Sequence, residues 1–261
     1  MPPAAPPSSG SRDNGLRQWQ GHALVVGCGG IGQALLADLA WRAPGLTLWA
    51  TSHSGWRPEP GGHLPAERLL PLDLTDDGSL ARFSLALQTL APSLRLVFNT
   101  AGLLHGDTLQ PEKRLQQVNR QALERLFAVN AFGPLLLARA VEPLLDRTEP
   151  VLFASLSARV GSIADNQLGG WYGYRGAKAA QNQLLRCLAL EWRRRRPLAC
   201  VTLLHPGTTA TPLSAPFQAS VAPERLFSPD RSARQLLDVL ERQGPEQSGS
   251  FLAWDGSMIP W

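Results

Sequence analysis

The chain has 261 residues, 44% hydrophobic and 18% charged, with a formal net charge of +4. It is apolar enough to build a core, which excludes a disordered chain, and no apolar run is long enough to cross a bilayer. Three scattered cysteines and five histidines form neither a CxxC pair nor a zinc spacing, so no metal site is expected.

The modest positive excess suits an anionic small ligand without requiring nucleic acid. An odd, sparse set of cysteines reads as a reduced, cytoplasmic protein. Residues 1–19 are rich in proline and serine and lack the charged start and apolar middle of a secretory signal. They are expected to be a disordered tail, with one domain over 20–261.

Beyond the tail, strand-like and helix-like segments alternate. Strands are predicted over 22–26, 46–51, 68–72, 94–99, 151–156, 199–204 and 250–254. Helices are predicted over 33–42, as one long stretch over 115–145, over 174–196 closed by Pro197, and over 231–242. Such alternation implies parallel strands joined by right-handed crossovers: an α/β, Rossmann-type doubly wound sheet in three layers.

The first strand runs directly into Gly27-Cys28-Gly29-Gly30-Ile31-Gly32 and then a helix. Gly27, Gly29 and Gly32 fit G-x-G-x-x-G, in which one glycine allows the tight turn, one admits a pyrophosphate and one lets helix pack on strand. Gly30 and Ile31 complete the loop, and the helix start offers unpaired N–H groups to phosphate. The second strand ends Ala50-Thr51-Ser52-His53-Ser54, with Arg57 behind it. No carboxylate stands there to hold ribose hydroxyls, whereas Ser52, His53 and Arg57 can all bind a 2′-phosphate. NADP(H) is therefore preferred, with NAD(H) the alternative.

Further on, Gly170-Trp171-Tyr172-Gly173-Tyr174-Arg175-Gly176-Ala177-Lys178 sets a tyrosine four residues before a lysine. On a helix these share a face. An ammonium beside a phenol favours phenolate, so Tyr174 is expected to exchange a proton with a carbonyl or alcohol while hydride moves to or from nicotinamide. Tyr172, six residues from Lys178, is read as lining a substrate pocket or packing.

With these landmarks in order, the sequence resembles the short-chain dehydrogenase/reductase family over nearly all of 20–261. The glycine loop is joined by Asp73-Leu74, by Asn99-Thr100-Ala101-Gly102, by Val129-Asn130 and by Pro206-Gly207-Thr208-Thr209-Ala210-Thr211. The segments Leu156-Ser157-Ala158-Arg159-Val160-Gly161-Ser162, Gly169-Gly170-Trp171-Tyr172 and Phe251-Leu252-Ala253-Trp254-Asp255-Gly256 resemble the C-factor or sniffer-type carbonyl reductase branch.

The resemblance implies that Asp73, with Leu74, meets the adenine and that Asn99 stabilises the central sheet beside the cofactor, with Ala101 and Gly102 next to it. It implies that Asn130 supports a relay water bonded to the lysine, and that Lys178 also holds the nicotinamide ribose. Thr211 would steady the carboxamide or diphosphate end, within a loop that includes Pro206, Gly207 and Thr209. The glycine loop is one residue shorter than the family's usual T-G-x-x-x-G-x-G.

The family's substrate-orienting serine falls at Ala158. Three readings stay open: Ser157 serves, Ser162 substitutes, or no hydroxyl is used. The stretch over 212–229, with Phe217 and Phe227, is expected to be a substrate lid. Arg193 to Arg196 is read as a solvated helix end rather than a nucleic-acid patch. Leu184, Leu185, Leu188 and Leu190 are core positions compatible with a homodimer or homotetramer. The leading expectation is a reductase or dehydrogenase of a small carbonyl or alcohol substrate; the alternative is a cofactor-binding signalling or regulatory protein with little turnover.

Overall fold

The computed structural model describes residues 15–53, 57–58 and 63–261. Ser54 and residues 1–14, the larger part of the expected tail, lie outside the described residues.

β1 (Gly21–Val26) enters the glycine loop and α1 (Gly30–Arg42), and β2 (Leu46–Ser52) follows. After β3 (Leu69–Pro71) comes α2 (Asp77–Leu90), whose first turn is capped by the Asp76 side chain accepting from the Gly78 N–H at 2.8 Å. Sequence reading missed α2, because the exposed Leu85 and Leu90 interrupt and follow the inward Leu80, Phe83 and Leu87 and blur the helical period.

β4 (Leu94–Asn99) leads to α3 (Arg120–Phe127) and α4 (Gly133–Val141). The helix expected over 115–145 begins at Arg120 rather than Leu115 and then runs on without a break to Leu144, with a widened π turn at Ala128–Phe132. Pro134 accounts for it: without an N–H it cannot bond the carbonyl four residues back, that of Asn130. β5 (Val151–Leu156), α5 (Tyr172–Arg195) and β6 (Ala199–His205) complete the second half. A two-stranded ribbon, β7 (Thr208–Thr209) with β8 (Leu226–Phe227), precedes α6 (Pro229–Leu240) and β9 (Ser250–Ala253).

Seven parallel strands form the sheet in the order β3-β2-β1-β4-β5-β6-β9. All six residues of β4 and all six of β5 are buried, as befits central strands covered on both faces. One face packs α1 and α6 through Leu35, Leu39, Leu236 and Leu240. The other packs α2, α4 and α5 through Phe83, Leu137, Leu185 and Trp192. The strand order reverses between β1 and β4, so a crevice opens above their carboxyl ends.

The packed body begins earlier than residue 20. Leu16 is 1% exposed within the core, and the Arg95 guanidinium lies 4.5 Å from the Trp19 ring centroid. Among the described residues no helix is long and apolar enough to cross a membrane.

Candidate active site

A cleft of about 1280 Å³ lies over the carboxyl ends of β1, β4, β5 and β6. One end is made largely of backbone. Gly27 has φ +91°, a left-handed conformation that favours glycine, and its N–H donates to Thr51 Oγ1 at 3.2 Å. A Cβ at Gly32 would lie 2.0 Å from the Gly27 carbonyl oxygen, so helix and strand approach too closely for any side chain. Gly29, by contrast, has open space where a Cβ would go and carries no side-chain cap for α1. The α1 amides are therefore free to face an anion. With the shortened loop, α1 begins at Gly30, whose Cβ would fall 2.9 Å from Thr211 Cγ2. Gly27, Gly29, Gly30, Ile31 and Gly32 all line the cleft, and this glycine cradle fits a dinucleotide pyrophosphate.

Ser52, His53, Asp73 and Leu74 line the adjoining wall. Two hydrogen bonds from Thr75 hold the Asp73 carboxyl below its ordinary range, assisted by His53 Nε2 at 3.5 Å. Ala101 and Gly102 face the cleft, as do Pro206, Gly207, Thr209 and Thr211. Asn99 does not. It is buried beneath, donating to Ser155 Oγ at 2.9 Å and accepting from the Ala101 N–H at 3.2 Å, so it shapes the exit of β4 rather than the cleft surface.

The other end is made of buried side chains. Tyr174 and Lys178 lie one turn apart on α5, 7% and 2% exposed, and both line the cleft. Lys178 Nζ donates to the Leu156 carbonyl and to Gln181 Oε1, each at 2.9 Å, and lies 5.8 Å from the Tyr174 ring centroid. An ammonium has three N–H donors, so one is left over.

Burial acts against the expected softening of the phenol. Burial pushes the Tyr174 phenol up and the Lys178 ammonium down to about 7, favouring the neutral form of each.

Ser157 lines the cleft, its hydroxyl donating to Asn182 Oδ1 at 2.6 Å. Ala158 lines it too, without a donor. Ser162 is buried away from it, accepting from the Asp165 N–H at 3.1 Å. Asn130, in the π turn, sits one layer down. Its amide donates to the carbonyls of Leu103 at 2.7 Å and Leu126 at 3.0 Å, and its oxygen accepts from the Leu103 N–H at 2.9 Å. It clamps the loop beside Gly102 and makes no hydrogen bond to Lys178.

Around Tyr174 stands an aromatic wall that sequence reading did not assemble. Trp171 lies 6.2 Å from the Tyr174 ring and 4.9 Å from Phe217, and His105 meets Phe217 edge-on at 5.9 Å. Leu103 and Val160 complete it. Residues 211–214, 216–217 and 219–221 border the cleft, bringing the expected lid segment to the site. Tyr172 is 44% exposed and outside the cleft, so it neither lines the pocket nor packs inside. The Gly169-Gly170 pair before Trp171 was the available signal for this wall, since both glycines take positive φ and turn the chain inward.

Comparison with known proteins places the fold among related chains. The family model for short chain dehydrogenase matches residues 21–222. The C-signal protein of Myxococcus xanthus is 36% identical over 148 residues, covering 56% of this chain and 83% of the relative. The 1-hydroxy-2-glutathionyl-2-methyl-3-butene dehydrogenase of Rhodococcus sp. (strain AD45) is 30% identical over 190 residues, covering 73% and 78%. A crystal structure of a Burkholderia multivorans short-chain dehydrogenase/reductase with bound NADP superposes with a TM-score of 0.74 at 26% identity, covering 93% of this chain and all of that one.

Proposed function

The chain belongs to the short-chain dehydrogenase/reductase family, and from that premise we propose that it is an NADP(H)-dependent oxidoreductase of a carbonyl/alcohol pair, with Tyr174 as its acid and base. The observation that carries this reading is the meeting of Tyr174 and Lys178 with the glycine cradle in one cleft. The preference for NADP(H) is supported by the missing carboxylate after β2 and by the NADP bound in the Burkholderia multivorans relative.

Bound nicotinamide supplies the hydride. The chain supplies the proton and the geometry. Tyr174, held neutral by burial, donates to a carbonyl oxygen as negative charge develops there and recovers a proton afterwards. Leu156 and Gln181 anchor Lys178 Nζ, and in its protonated form a third N–H would remain to hold a ribose hydroxyl. Ser157 commits its hydroxyl hydrogen to Asn182 and acts as a positioning group, as Asn130 does through Leu103. The aromatic wall excludes water and accepts the apolar body of a small carbonyl compound.

The test is NADPH titration followed by turnover with a panel of aldehydes, ketones and quinones. NADPH should bind about tenfold or more tightly than NADH, and at least one carbonyl should consume it. A second reading, a cofactor-binding regulatory protein, draws on Ala158 and on the C-signal relative. Tight NADPH binding with no consumption across the panel favours that reading and overturns the first.

A further inference from the structure

α5 carries both Tyr174 and Lys178 yet has no cap of its own. Trp171, at its N-cap position, is the lone non-glycine residue with positive φ among those described, at +51°, and offers no side-chain hydrogen bond to the helix. The cap comes from far upstream. Glu112, on the loop between β4 and α3, is 2% exposed, and its two carboxylate oxygens accept from the Gly173 N–H at 3.3 and 3.2 Å.

Its backbone carbonyl accepts from the Trp171 N–H as well, so one residue fixes both sides of the helix start. The fit is close: a Cβ at Gly173 would lie 2.9 Å from Glu112 Oε1, and one at Gly170 would lie 3.3 Å from the Glu112 carbonyl. Among the described residues the carboxylate has no salt-bridge partner, and burying an unpaired acid is costly. The positive end of a 24-residue helix offsets that cost.

We propose that Glu112 is the positioning residue of this site, holding the first turn of α5 so that Tyr174 and the Trp171 wall project into the cleft. It acts through Gly173 and Trp171 and touches no reacting atom. Aligning a proton donor with a carbonyl is sensitive to displacements of about 1 Å, which can cost roughly a hundredfold in rate. The phosphate cradle, on α1 and β1, does not depend on this cap. Loss of Glu112 should therefore separate turnover from cofactor binding.

The inference rests on the oxidoreductase reading for its kinetic arm only. In the full chain, Glu112→Ala should lower kcat about tenfold to a hundredfold, while the NADPH dissociation constant stays within about twofold of the parent. Glu112→Gln keeps an accepting oxygen and should recover most of the loss. Hydrogen exchange should quicken at the amides of 171–176 in Glu112→Ala and stay unchanged over 185–195. Should Glu112→Ala fail to fold, Glu112→Asp retains the buried charge but draws it back from Gly173, and should show the same split in milder form.

Parental kcat, unchanged exchange at 171–176, or a loss of NADPH affinity matching the loss of kcat overturns the proposal. If the parent chain turns over no carbonyl at all, the activity reading fails, and the exchange measurement still decides the role of Glu112.

Discussion

The two ends of the cleft are built from different materials. At the end proposed to take the phosphates the available groups are backbone amides, and glycines at 27, 29, 30 and 32 line the way to them. At the reacting end they are side chains, Tyr174 and Lys178, buried and held through Leu156, Gln181 and Glu112 from three separate parts of the chain. A backbone site is set by local conformation and tolerates change in the residues around it. A buried side-chain site is tuned by desolvation, so distant residues matter to it. That contrast predicts that substitutions at one end should alter binding and at the other end turnover.

The largest break should come from Tyr174→Phe, which removes one oxygen and should cut turnover by about 10²–10⁴ while NADPH affinity is nearly unchanged. Steady-state kinetics beside a fluorescence titration measure both, and full activity would end the assignment of Tyr174. The converse is Gly32→Ala, whose new Cβ would fall on the Gly27 carbonyl oxygen at 2.0 Å. NADPH affinity should drop by about a hundredfold, equivalent to about 2.7 kcal/mol. Parental affinity in a folded Gly32→Ala would show that the cradle is not the phosphate site.

Lys178 sharpens the contrast through pH. Its folded value, lowered to about 7 by burial, lies below the value of about 10.4 usual for an unfolded lysine. Between these limits the unfolded chain binds the extra proton, so this group makes stability rise with pH, by at most about 1.4 kcal/mol per unit. Lys178→Met lacks that slope. Its stability advantage over the parent should be greatest at or below pH 7 and gone near pH 10, measured by denaturant titration across pH. A constant difference would mean that the lysine stays charged in the fold.

The smallest effect should come from Ala158→Ser, which adds a donor to the cleft wall beside Tyr174. One added hydrogen bond is worth about 0.5–1.5 kcal/mol, so turnover should rise about threefold to tenfold. A fall would indicate that another group already occupies that place.

Much of the framework could be read from the chain. Continuous apolar strands, the glycine loop and the Tyr-x-x-x-Lys spacing are local patterns, and they located the sheet, the glycine cradle and the two side chains, Tyr174 and Lys178, that share the cleft. The long-helix reading holds over 120–144, but it did not show the π turn that carries Asn130, where Pro134 lacks an N–H. The serine question also exceeded local reading, because which hydroxyl faces the cleft depends on how β5 leaves the sheet. Ser157 lines the cleft with its hydrogen given to Asn182, whereas Ser162 turns away. Asn99 ties β4 to β5 beneath the cleft, in keeping with its reading as a sheet-stabilising residue, and Asn130 also lies one layer down.

By itself the sequence determined the order of strands and helices, the glycine-lined end of the cleft and the placing of Tyr174 and Lys178 on one helix face, because each follows from residues a few positions apart. Only the tertiary structure decided that Glu112 caps α5 across 61 positions, that Trp171 and Phe217 form one wall, and that burial favours the neutral forms of Tyr174 and Lys178. Long-range contacts and desolvation are set by the packing of the whole chain, and no short stretch of residues encodes them.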